Sequence, residues 1–95
     1  MRLTSFEITK IKEIVHRYVP KALVYIFGSR VDDSKKGGDI DILIIDDEKV
    51  NLDLKLEIIV DLNLEIAEQK YDVVSFDYSD DNPFKSYVLD HAILI

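Results

Sequence analysis

Ninety-five residues, 47% hydrophobic and 33% charged, describe one ordered domain (residues 1–95) with a single core and no room for two substrate-binding lobes. The absence of cysteine excludes a disulfide framework and zinc–thiolate sites, and no run approaches the roughly 18 apolar residues of a membrane span. Nineteen acidic residues against twelve basic give a net charge of −7, so a polyanion is not held by the overall field; any nucleotide needs a local device such as a metal ion, a backbone nest or a few placed cations.

The opening stretch, MRLTSFEITKIKEIVHRY, has no uninterrupted apolar region of the secretory kind, and the cytoplasm is the expected compartment. Thr4 or Ser5 is placed to cap a helix starting near Phe6. Ile8, Ile11, Ile14, Val15 and Tyr18 recur at helical spacing, with His16 and Arg17 on a solvated side. Pro20 stops the helix. Ala22 to Phe27 is an apolar, β-branched run, the pattern of a strand covered on both faces, and Gly28-Ser29 ends it. Residues 30–38 form a polar loop closed by Gly37-Gly38. A second strand runs from Asp39 to Ile45. Ile40, Ile42 and Ile44 point one way, and Asp39, Asp41, Leu43 and Ile45 the other.

Residues 50–68 alternate apolar and polar side chains, which taken literally is a strand. The run is too long for one, has no turn residue to split it, and is rich in Leu, Glu and Lys, so it is assigned to a helix. A helical wheel places Asp53, Glu57, Asp61, Glu65 and Glu68 on an acidic face. Leu52, Leu56, Ile59, Val60, Ile66 and Ala67 fall opposite, with Ile58 and Leu62 on a flank. Lys70 to Phe76 is a third strand. Asn82 then caps a helix with Pro83 at its first position, on which Phe84, Tyr87, Val88 and His91 share a face. Residues 92–95 are extended and packed down.

Asp39 and Asp41 leave one face of a strand about 6–7 Å apart at the backbone. Such a pair repels unless a cation intervenes, and for all-oxygen ligands the cheapest is Mg²⁺. If the third strand lies beside the second, Asp72 completes a three-carboxylate cluster of the type used in two-metal phosphoryl or nucleotidyl transfer. Gly28 lets the backbone approach a phosphate, and Ser29 offers a hydroxyl and an N–H at a helix start. Arg30, Lys35 and Lys36 are the nearest cations. Each feature alone has a plainer reading: an ordinary turn, an edge device against aggregation, a strand-start carboxylate. Asp46, Asp47, Asp77, Asp80 and Asp81 are solvated turn residues. The joint arrangement carries the chemistry.

Phe27-Gly28-Ser29, a gap of nine residues, then Asp39-Ile40-Asp41-Ile42 resembles the signature of the DNA polymerase β-like nucleotidyltransferase superfamily. Length and layout are similar to its minimal nucleotidyltransferase (MNT) branch, the antitoxin half (MntA-type) of HEPN–MNT pairs. The resemblance spans nearly the whole chain. It implies an α+β fold, a small mixed sheet of three to four strands with helices packed on one face. It implies Asp39, Asp41 and Asp72 as catalytic metal ligands, one or two Mg²⁺ ions, ATP as donor, and Gly28, Ser29 and Arg30 as the triphosphate contact. The acceptor it implies is a hydroxyl, a tyrosine, on a partner HEPN-domain toxin, which AMP transfer silences. In keeping with this, the chain lacks the extra domain that antibiotic-modifying relatives use to hold a small acceptor. Two other readings stand beside this: a catalytically silent module that neutralises a partner by contact, and the small subunit of a small-molecule nucleotidyltransferase. Homo- and hetero-oligomers both stay open, and no direct nucleic-acid or membrane binding is expected.

Overall fold

Side-chain caps set where the helices begin. Thr4 accepts from the Glu7 N–H at 3.1 Å while Glu7 accepts from the Thr4 N–H at 2.8 Å, a capping box that opens α1 (Ser5–Tyr18). Asn51 accepts from the Leu54 N–H at 2.9 Å and opens α2 (Leu52–Glu65). Asn82 accepts from the Phe84 N–H at 2.9 Å, with Pro83 at the first position of α3 (Pro83–His91). The apolar runs between them form β1 (Leu23–Phe27), β2 (Ile40–Asp46), β3 (Tyr71–Asp77) and the short β4 (Ile93–Leu94). This computed structural model describes residues 1–34 and 37–95.

The strands make one mixed sheet in the order β3-β2-β1-β4. β1 is antiparallel to both its neighbours, and β2 and β3 run parallel. The architecture is a small α+β fold, with three helices on the sheet among the described residues. No described helix is long and apolar enough to cross a membrane.

Strand alternation splits the core in two. Ile40, Ile42 and Ile44 of β2, with Val24, Ile26 and Val73, meet Ile11, Ile14 and Val15 of α1 and Ile58 and Leu62 of α2. Leu43 and Ile45, with Phe76, meet Val88 of α3. The expectation of helices on one face therefore holds for α1 and α2, while α3 covers the opposite face. β2 is apolar on both sides, and Leu43 and Ile45 need cover of their own. A buried lysine helps to fix α3 there: Lys85 Nζ donates to the carbonyls of Asp77, Tyr78 and Asp80 at 2.9, 2.8 and 3.0 Å, binding the β3–α3 turn. The predicted shared face of α3 is correspondingly divided, with Val88 buried and Phe84 and Tyr87 exposed.

α2 sits rotated from its predicted orientation. Ile58 and Leu62 form its buried centre, whereas Leu52, Leu56, Val60 and Leu64 are exposed. The reason lies on α1. Arg17 pairs with Asp61 at 3.1 Å and Glu65 at 2.6 Å, Lys10 pairs with Glu65 at 3.3 Å, and the Tyr18 hydroxyl donates to Asp61. These contacts draw one flank of the acidic face against α1, and the Leu52–Leu64 stripe turns outward. The Arg17 and Lys10 cations hold the Glu65 carboxyl down at about 2. Arg17 is thus a clamp between helices, and His16 packs its Nε2 at 2.9 Å from the Ala22 carbonyl; neither is simply a solvated side chain. Leu62→Ala should cost about 2–5 kcal/mol by cavity formation, and Leu56→Ala less than about 0.5 kcal/mol. Urea denaturation of the two variants tests this, and equal losses would contradict the observed rotation of α2.

Candidate functional site

β1 ends because Gly28 takes a backbone angle, φ 75°, that other residues reach only with strain. The chain then makes a single 3₁₀ turn, Gly28–Val31, so the helix start expected at Ser29 is one short turn. Space as well as conformation requires glycine here: a Cβ at position 28 would run into the side-chain carboxylate of Asp41. Phe27 and Asp41 are cross-strand partners, so the Gly-Ser turn and the Asp-x-Asp strand start meet at one end of the sheet.

The parallel pairing of β2 and β3 supplies the remaining carboxylate. Asp41 lies directly across from Asp72, on the sheet face that α3 covers. Asp39 stands immediately before β2. Lys70, not singled out from the sequence as a site residue, reaches both outer carboxylates, with Nζ 3.6 Å from Asp39 and 3.9 Å from Asp72. Its position two residues before Asp72, at a strand start, was the available signal. Partial burial and the hydrogen bond with Asp72, reinforced by the negative charges of Asp72 and Asp39, push the Asp41 carboxyl up to about 6, against a smaller pull from Lys70.

Three neighbouring carboxylates are a hard, all-oxygen donor set. In donor chemistry the residues fit a divalent ion such as Mg²⁺. In this conformation Lys70 bridges Asp39 and Asp72. Among the described residues, no group of three or more His, Cys, Asp or Glu side chains is already arranged to hold a metal.

The predicted phosphate contacts are also placed. Ser29 lines a cavity together with Gly28, and its carbonyl accepts from the Arg2 guanidinium at 2.7 Å. Arg30 is committed to the protein, donating to the Gly38 and Arg2 carbonyls at 3.2 and 3.0 Å and to Gln69 at 3.4 Å. It ties the turn to the chain start and to the β2 and β3 entries. Lys35 and Lys36, the other predicted cations, lie outside the described residues. Two cavities open at this end of the sheet. One, of about 490 Å³, is lined by Asp41, Asp72, Lys55 and Phe84 among others. The second, of about 600 Å³, borders Gly28 and Ser29. A further hollow between Pro20 and Val50 lies at the far end of β2, away from the carboxylates.

The sequence profile described as polymerase beta, nucleotidyltransferase matches residues 9–95. No curated protein matches the chain closely enough to count as a relative. The match covers both strands that carry the aspartates and the turn that packs on Asp41, and it supports a transferase of the nucleotidyltransferase kind. On that span and that arrangement, the chain belongs to the polymerase beta nucleotidyltransferase family.

Proposed function

We propose that this protein transfers AMP from ATP to a hydroxyl, a tyrosine, of a partner HEPN-domain toxin, and so acts as an antitoxin. The observation that carries the transfer chemistry is the register of Asp41 opposite Asp72 beside Gly28. Gly28 and Ser29 bring backbone and hydroxyl to the triphosphate. Asp72, which lines the 490 Å³ cavity, would take the proton of an incoming hydroxyl. The acceptor oxygen then forms the new bond to the α-phosphorus, and the bond from that phosphorus to pyrophosphate breaks. Asp39, Asp41 and Asp72 would hold the divalent ion, which when bound supplies charge stabilisation for the phosphates. Support for a protein acceptor is the resemblance to the MNT branch.

The test is incorporation of label from α-labelled ATP into the adjacent-gene HEPN protein with Mg²⁺, run beside Asp39→Ala/Asp41→Ala. Labelling of a tyrosine by the wild type alone is expected. Equal labelling by the double variant would overturn the assignment. Neutralisation of the partner by both proteins without labelling would identify a silent binding module instead.

A further inference from the structure

We infer that the cavity beside Gly28 binds the base of the donor nucleoside triphosphate, with Tyr87 of α3 as its stacking platform. This rests on the nucleotidyltransferase reading above and adds a residue set to which neither the family profile nor the sequence motif points. The cavity, about 600 Å³, is of the size that takes a small ligand. Gly28 and Ser29 line it, together with the rings of Phe27 from β1 and of Phe84, Tyr87 and His91 from α3. A molecule with its phosphates at the turn can therefore enter this cavity with its uncharged end.

Phe27 packs on the α3-side core, but the rings of Phe84 and Tyr87 stand largely outside it. Tyr87 is 65% exposed, and Phe84 is 46% exposed while touching Phe76 at 6.3 Å between centroids. Tyr87 and His91 lie one helical turn apart with centroids 5.2 Å apart, so each steadies the other's ring. His91 Nδ1 is 3.0 Å from the Tyr87 carbonyl, and because that carbonyl can only accept, Nδ1 carries a proton. An exposed, pre-positioned aromatic pair bordering a phosphate turn is a surface on which a base stacks. Phe27 and Phe84 also line the cavity at Asp41 and Asp72, so they stand between base and acceptor and separate the two substrates.

Calorimetric titration of the full chain with MgATP and, separately, with magnesium tripolyphosphate tests the inference. Tyr87→Ala should weaken ATP about tenfold while leaving tripolyphosphate unchanged, since stacking on one ring is lost and the turn is intact. Tyr87→Phe, which keeps the ring, should restore ATP binding to within about twofold. Unchanged ATP affinity in Tyr87→Ala, or an equal loss for both ligands, would overturn the base site and leave the nucleotidyltransferase reading standing. Failure of the wild type to bind either ligand would overturn both.

Discussion

Asp41→Asn should abolish nucleotidyl transfer and, at neutral pH, make the protein more stable. The two effects have one origin. The Asp41 carboxyl is pushed up to about 6 from an unfolded value of 3.8, by desolvation first and then by Asp72 and Asp39. An acid whose folded value is raised destabilises the fold wherever it must ionise. The penalty is absent below pH 3.8, grows between 3.8 and about 6, and is complete above that. Taken at face value the shift corresponds to about 3 kcal/mol. The side chain is only partly buried and solvent screens it, so about 1 kcal/mol is the expected gain. Asparagine keeps the shape that packs on Gly28 and removes the charge. Urea denaturation at pH 7.5 and pH 3.5 reads the result: a gain at the higher pH that vanishes at the lower. A loss of stability at pH 7.5 would show that Asp41 is a structural anchor rather than a strained functional group. Activity should fall by about 10³-fold or more, the scale of several kcal/mol of lost electrostatic stabilisation. Replacing the neighbour, Asp72→Asn, should lower the Asp41 carboxyl toward the ordinary range, which a side-chain NMR titration reads directly.

Gly28→Ala should destabilise the fold strongly. Its cost has two separable parts. The left-handed backbone, φ 75°, charges any other residue about 1 kcal/mol. The added carbon would meet the Asp41 carboxylate, and overpacking of this kind costs about 1–3 kcal/mol. A total of about 2–4 kcal/mol lowers the melting temperature of a chain this size by roughly 10–25 °C. Making the same change in an Asp41→Ala background removes the collision and leaves the backbone term, so the cost there should drop to about 1 kcal/mol. An undiminished cost would mean that Asp41 and Gly28 are not in contact. Activity should be lost in Gly28→Ala even where enough folded protein remains, because the Asp41 carboxylate must move to make room.

Much of this was readable in the chain. The caps at Thr4 and Asn82, the apolar strands and the helical assignment within residues 50–68 follow from local rules, and the elements formed close to their expected places, with α2 ending at Glu65 rather than Glu68. What misled was orientation. The alternating pattern of α2 is apolar around much of its circumference, so a wheel alone could not say which flank is buried. Arg17 and Lys10, distant in sequence, decided it by pairing with Asp61 and Glu65. Arg30 reads locally as a free cation beside a phosphate turn, but the carbonyls of Arg2 and Gly38 claim it. Lys85 reads as an exposed helix residue, but it is buried among carbonyls of the turn before it.

The sequence by itself determined the local chemistry: a glycine free to turn left-handed, two aspartates one residue apart at a strand start, and a third strand opening on another. Those are properties of short stretches, fixed by side-chain type and backbone alternation. Only the tertiary structure decided that β2 and β3 run parallel in a register that sets Asp72 opposite Asp41, and that the Asp41 carboxylate fills the space Gly28 leaves. It also decided that α3 crosses to the carboxylate face and brings Tyr87 and His91 to the turn. Register and handed placement depend on contacts between residues far apart in the chain, and no local preference encodes them.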